Sequence, residues 1–424
     1  MAGPLLASLL SDTASLDSQG GLWVGGVELE TLAAEFGTPL FVYDEAHLRS
    51  RCRESVSAFG DGVAYAAKAF LCQEMARLVE AERMRLDVAT GGELHVALHA
   101  GFPAEGIIFH GNNKSEDELR QALAAKVGRI VIDSFDELER LERLIQPTRP
   151  QPVWIRVTPG IEAHTHTSVR TGGEDSKFGF GLAAGAAAEA VQRIERNPNL
   201  ALVGLHMHIG SQIFETTPFE QAIAVMAELL LPLGLPELCV GGGLGVAYVE
   251  GEVAPGITEW GRRVKAAAQA AGIPESVKIS AEPGRAIAAT AALTVYRVGT
   301  IKHVPGIRTY VAVDGGMSDN PRPVLYESGY EAFLPRAAGA RRELAARVVG
   351  KHCESGDILV SDAWLPEDVM PGDLLATPVT GAYGYAMAST YNKVPRPAVV
   401  FVANGQARLV VRRETYGDLV ALDF

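Results

Sequence analysis

Lys68 stands in the run AYAAKAF, an amine flanked by alanines and a phenylalanine. Desolvation lowers the pKa of such an amine and turns it into a nucleophile toward carbonyl carbon. The simpler reading is a lysine whose stem lies on apolar surface while its head reaches water, and on this residue alone the simpler reading prevails. Further along stand Asp87, His110, Asp133, Arg156, His206, His208, the glycine run Gly241-Gly242-Gly243-Leu244-Gly245, and Glu282-Pro283-Gly284-Arg285. Glycine backbone N–H groups can cradle a phosphate, although tight turns also require glycine. The run lacks the G-x-G-x-x-G spacing of a dinucleotide fold. Glu282 suits either its own neighbour Arg285 or a protonated heterocyclic nitrogen. His206 and His208 share a strand face by their spacing, but without a suitably spaced carboxylate no metal is expected. A flat imidazole can equally stack on an aromatic ring.

One use joins these pieces. A lysine to form an imine, glycines for a phosphate, an imidazole to stack and a carboxylate opposite a ring nitrogen are what pyridoxal 5'-phosphate (PLP) needs. A metal-dependent barrel hydrolase using His110, His206 and His208 is the rival from another class.

Such groups must be positioned by regular elements. Runs rich in Val, Ile and Leu at 63–67, 85–89, 107–110, 129–133, 153–158, 202–208, 238–241 and 277–282 read as strands. Between them, stretches such as 73–83, 115–125 and 219–231 carry apolar residues at helical spacing. Alternating strands and helices imply a parallel sheet, and about eight repeats fit a (β/α)8 TIM barrel. An open doubly wound sheet is the structural alternative. In a barrel, catalytic groups sit at the C-terminal strand ends, which is where the ionisable residues above fall.

The texture changes near residue 300. Short β-like runs at 294–298, 309–313, 357–360, 373–377, 397–402 and 407–412 are separated by turns such as Asp314-Gly315-Gly316. They predict a C-terminal antiparallel β-sandwich or β-barrel, to which 21–29 adds one strand. The expected division is therefore an N-terminal segment 1–44 packing with the β domain, a barrel over 45–300 and a β domain over 301–424.

Composition agrees with an enzyme of this size. The 424 residues are 47% hydrophobic and 21% charged, enough for a large core. A net charge of −13 opposes binding to nucleic acid or anionic membrane, and no apolar run is long enough to span a bilayer. Cys52, Cys72, Cys239 and Cys353 form no C-x-x-C pair. A cytoplasmic protein without structural disulfides is expected.

Ordered motifs then add a resemblance over almost the whole chain. AYAAKAF, LDVATGGEL from Leu86, HGNNKS from His110, HIGSQ from His208, GGGLG from Gly241, EPGRAI from Glu282, DGGMSDN from Asp314, CESGD from Cys353 and GAYGY from Gly381 are similar to those of the diaminopimelate decarboxylase family. That family lies within the fold-type III PLP decarboxylases. The resemblance implies that Lys68 binds the cofactor aldehyde, His208 stacks on its ring and Glu282 pairs with its nitrogen. Ser211, Gly243, Gly284, Arg285 and Tyr383 match phosphate positions, with Asp87, Glu93 and Arg156 in support. Arg285, Arg322, Tyr326, Glu354, Ser355 and Tyr383 match substrate contacts. Cys353 resembles the group that reprotonates Cα, entering from a partner subunit. The resemblance thus implies a homodimer with shared sites acting on meso-diaminopimelate. Another basic amino-acid decarboxylase of this fold, acting on ornithine, arginine or a D-amino acid, is the alternative. The sequence departs modestly from the family pattern at Phe70 and Gly384.

Overall fold

A computed structural model describes residues 3–5, 7–145, 149–161, 176–183 and 185–424. The segment 162–173, a candidate loop over the site, lies outside the described residues. The chain forms two units, one of Arg51–Val246 with Ala254–Ala286, the other of Met1–Ser50, Ala247–Val253 and Ile287–Phe424.

The first unit is the barrel. Its eight strands are Ala64–Ala66, Arg85–Val88, Ile107–Phe109, Arg129–Ile132, Gln151–Thr158, Leu200–His206, Glu237–Cys239 and Lys278–Ser280. They pair in that order, every pairing parallel. Backbone bonds from Ala64 N–H to Ala281 O (3.0 Å) and from Ala66 N–H to Pro283 O (3.3 Å) link the last strand back to the first. An open doubly wound sheet is thereby excluded. The strands are buried on nearly every residue because helices cover them, which explains their continuous apolar runs.

Local chemistry starts the helices where the strands end. Thr90, Ser115 and Ser134 each accept the backbone N–H three residues on, opening Gly91–His99, Glu116–Ala125 and Phe135–Leu144. At Ser115 the Glu118 side chain returns the bond and completes a capping box. Each turn leaves the preceding strand end facing a short βα loop, the position that carries function in this architecture.

The second unit holds a mixed sheet rather than the expected antiparallel sandwich or barrel. Its order is Ile358–Leu365, Leu344–Val349, Arg308–Val313, Ala292–Val304, Leu40–Asp44, Ala398–Ala403, Gln406–Val411, with Leu374–Pro378 also on Ala292–Val304. Two pairings are parallel: Arg308–Val313 with Leu344–Val349, and Ala398–Ala403 with Leu40–Asp44. The second arises because the Leu40–Asp44 strand inserts between two strands from far along the chain. Ala292–Val304 belongs to this sheet throughout, so the chain leaves the barrel at Ala286 rather than near residue 300. The segment 21–29 does not extend this sheet. Leu22–Val24 and Val27–Glu28 form a hairpin paired with Ser15–Leu16, and Leu29 already begins a helix.

Candidate active site

The ends of the barrel strands gather one cluster of ionisable groups around Glu282. Glu282 follows the last strand, and its N–H donates to Gly241 O at 2.9 Å. His110 stands just past the third strand and His206 ends the sixth. His110 Nε2 lies 2.8 Å from Glu282 Oε1, and His206 Nε2 lies 2.9 Å from Oε2. The three side chains are buried. Burial pushes the Glu282 carboxyl up, but the charges of the two imidazoles and their hydrogen bonds outweigh it and hold the group well below the usual range. Asp87, inside the second strand, has its Oδ1 3.8 Å from His110 Nε2. Burial drives it up to about 6, with His110 opposing and Glu282 reinforcing the rise. Two carboxyls in one site are thus pushed apart in acidity, as in sites that divide acid and base work.

Lys68 lies in a single 3-10 turn directly after the first strand. It is exposed, while Ala67, Ala69 and Phe70 are buried, as the simpler reading of a stem on apolar surface with its head toward water expects. Its charge acts on Asp87, Glu93 and His208. Glu93 accepts the Ala89 N–H at 2.6 Å. His208 is held well below its ordinary value by desolvation, then by Lys68, Arg156 and His206, and is therefore a neutral imidazole. Arg156 pairs loosely with Asp133 at 3.7 Å, and its guanidinium lies 4.2 Å from the Phe178 ring centre.

The shared strand face expected for His206 and His208 is not observed. The strand stops at His206, and His208 turns into the following loop, where its Nδ1 accepts the Gly242 N–H at 3.2 Å. His206 is partnered instead by His110. His110, His206 and Glu282 lie close enough to share a cation, the only such cluster found among the described residues. Their ligand atoms, however, are engaged with one another as two hydrogen bonds.

The glycine run is dictated by close approach. A Cβ at Gly241 would stand 2.4 Å from Met207 O, at Gly242 2.3 Å from Glu282 O, and at Gly243 2.3 Å from Gly210 O. Gly241 and Gly243 also have φ of +69° and +108°, where side chains are strained. The run therefore packs bare backbone between the loop after the sixth strand and Glu282. Close by, Arg285 Nη2 donates to Ser211 Oγ at 3.1 Å, and a Cβ at Gly284 would sit 3.0 Å from the Ala66 Cβ. The barrel thus brings together Lys68, Asp87, His208, Ser211, Gly243, Glu282, Gly284 and Arg285.

The remaining expected residues belong to the second unit. Arg322 is 3% exposed. Its Nη1 donates to Tyr330 Oη at 2.5 Å, its Nη2 to Ser328 Oγ at 3.0 Å, and its guanidinium lies 4.0 Å from the Tyr248 ring centre. Among the described residues no carboxylate pairs with it. Tyr330 and Tyr248 were not foreseen; the family resemblance implied Tyr326, which is half-buried. Tyr383 has φ +60°, unusual for a bulky residue. Gly384 is required there, because a Cβ would lie 2.7 Å from Thr380 O. Cys353, Glu354 and Ser355 are exposed on a turn anchored by His352 N–H to Asp357 Oδ2 (2.8 Å) and Cys353 N–H to Asn392 Oδ1 (3.2 Å).

Known proteins agree with this geometry. Residues 45–289 match the family described as pyridoxal-dependent decarboxylase, pyridoxal binding domain. The diaminopimelate decarboxylase of Mycobacterium bovis is 49% identical over 428 residues, covering 96% of each chain. That of Bacillus subtilis is 46% identical over 432 residues, covering 98% of each. The crystal structure of diaminopimelate decarboxylase from M. jannaschii in complex with L-lysine superposes with a TM-score of 0.90 at 29% identity, covering 99% of each chain.

Proposed function

The chain belongs to the pyridoxal-dependent decarboxylases, and from that membership we propose that it is a diaminopimelate decarboxylase, converting meso-2,6-diaminopimelate to L-lysine and CO2 with PLP. The observation that carries the reading is the gathering of Lys68, Glu282, a neutral His208 and the glycine cradle at one barrel mouth. These residues fit the cofactor. They offer an amine for its aldehyde, an anion for its ring nitrogen, an uncharged flat ring, and backbone where no Cβ can stand. PLP, when bound, supplies an electron sink for the pair left at Cα as CO2 departs.

The chain's own groups do the rest. Lys68 would hold the cofactor by its aldehyde carbon through the side-chain amine. Glu282, kept ionised, would hold a proton at a ring nitrogen placed opposite it. His208 would offer its flat imidazole to the ring, with Asp87 in support beside it. Ser211, Gly243, Gly284, Arg285 and Tyr383 take the phosphate. Arg285, Arg322, Tyr326, Tyr383, Glu354 and Ser355 take the substrate. Arg322 suits the distal carboxylate, being a buried cation in an aromatic setting with no counter-charge of its own among the described residues. Cys353, contributed by the partner subunit, returns a proton to Cα. This makes the working unit a homodimer with shared sites.

Release of CO2 from meso-diaminopimelate, ornithine, lysine and arginine tests the assignment. Substrates lacking a distal carboxylate leave Arg322 unpaired, at about 1–3 kcal/mol or more, so meso-diaminopimelate is turned over at least about fivefold faster. Preference for a monocarboxylate overturns the assignment. The L-lysine complex of the M. jannaschii relative supports it, since lysine is the proposed product.

A further inference from the structure

His110 and His206 have no part in the roles above, yet both are committed to Glu282. We propose that they are positioning residues, each donating Nε2–H to one Glu282 oxygen, which together fix the carboxylate and keep it anionic opposite the ring nitrogen. The inference rests on the reading of Glu282 given above.

The geometry assigns one donor to each oxygen, at 2.8 and 2.9 Å. An ionised carboxylate only accepts, so both Nε2 atoms carry hydrogen. His206 is 2% exposed and its Nδ1 has no partner among the described residues. The two rings meet edge-to-face, with centres 4.7 Å apart. They arrive on different strands, the third and the sixth, so the carboxylate is gripped from two rigid directions. Each oxygen retains a second acceptor direction for a ring N–H.

The need for such a grip follows from burial. An unassisted carboxylate at 5% exposure gains stability by taking up a proton, and a protonated ring nitrogen facing it would be a source of one. The other groups around it do not prevent this. Asp87 is a second carboxyl, Cys239 is a thiol kept protonated whose S–H is only a weak donor to Glu282, and Arg156 pairs with Asp133. His208 is neutral and points Nδ1 at Gly242. The two N–H donors lower the proton affinity of Glu282 and leave the proton on the ring.

The test loads the protein with PLP labelled with nitrogen-15 at the ring and reads that nucleus by NMR. Wild type and the His110→Gln and His206→Gln variants, whose amide N–H reaches the same point, should show a protonated ring at neutral pH. His110→Leu and His206→Leu should move the signal toward the unprotonated ring and lower kcat by about tenfold to a hundredfold, with KM little changed. Asn, whose amide stops short of Glu282, replaces Leu where the Leu variant does not fold. Leu variants with a protonated ring, or Gln and Leu variants that behave alike, overturn the proposal. Glu282→Gln separates the two layers. If it moves the signal while the Leu variants do not, only the histidine grip fails. If it leaves the signal unmoved, the reading of Glu282 fails and the grip fails with it.

Discussion

At the scale of single residues, the chemistry of this chain is set by what surrounds each ionisable group. Gly243 is one example. A methyl there would meet Gly210 O at 2.3 Å, with φ at +108° adding strain. Gly243→Ala should therefore weaken PLP binding at least about tenfold, measured by titrating apoprotein with PLP. Unchanged affinity would remove the cradle from the account. Asp319 is another. Burial drives it up to about 7, against the bonds from Tyr296 Oη (2.7 Å) and Gly316 N–H (3.0 Å). Its folded pKa exceeds its unfolded one, so its stabilisation is complete below about pH 4 and is lost as pH rises through 7. Thermal unfolding of Asp319→Asn should gain on wild type between about pH 5 and 7.5; a constant difference would refute this. Much of the site was legible at this scale. Lys68, His208, the glycine run and Glu282 stand in short ordered motifs. The partners of Glu282 were not, because His110 is 172 residues away and no local spacing encodes their contact.

At the scale of elements, barrel strands were readable because burial on both faces leaves continuous apolar runs. Leu344–Val349 was not, since ELAARVV has the Ala and Arg content of a helix. It is a strand because Arg308–Val313 and Ile358–Leu365 pair with it on either side, tertiary context overriding propensity. The segment 21–29 was half legible: its β character is real, but Gly25 and Gly26, at φ +59° and +81°, fold it back on itself as a hairpin. Inside the barrel, Lys114, in the loop after the third strand, is joined to Glu137, in the first turn of the helix after the fourth. Lys114 Nζ donates to Glu137 Oε1 at 2.8 Å and to the carbonyls of Gly111 and Val131, with both side chains fully buried. Glu137→Ala should cost about 3–5 kcal/mol in denaturant unfolding by stranding a buried cation. Adding Lys114→Met should recover much of the loss. A double variant no more stable than the single one would show that the pair acts otherwise.

At the scale of the whole molecule, the separation of roles between subunits is the decisive question. Cys353, Glu354 and Ser355 sit exposed on an anchored turn, whereas Lys68 and Glu282 belong to the barrel. If Cys353 serves a partner's site, inactive Lys68→Ala and Cys353→Ala proteins should regain part of the activity when unfolded and refolded together, since hybrid dimers contain one intact site. Mixtures no more active than the parents would contradict sharing.

Everything above depends on where the cofactor is attached. Holoprotein reduced with borohydride, digested and analysed by mass spectrometry reports that residue directly. The account predicts a single pyridoxyl adduct on the peptide containing Lys68, absent from Lys68→Ala. An adduct on a different lysine, or no adduct in protein that releases CO2 from meso-diaminopimelate, would contradict it.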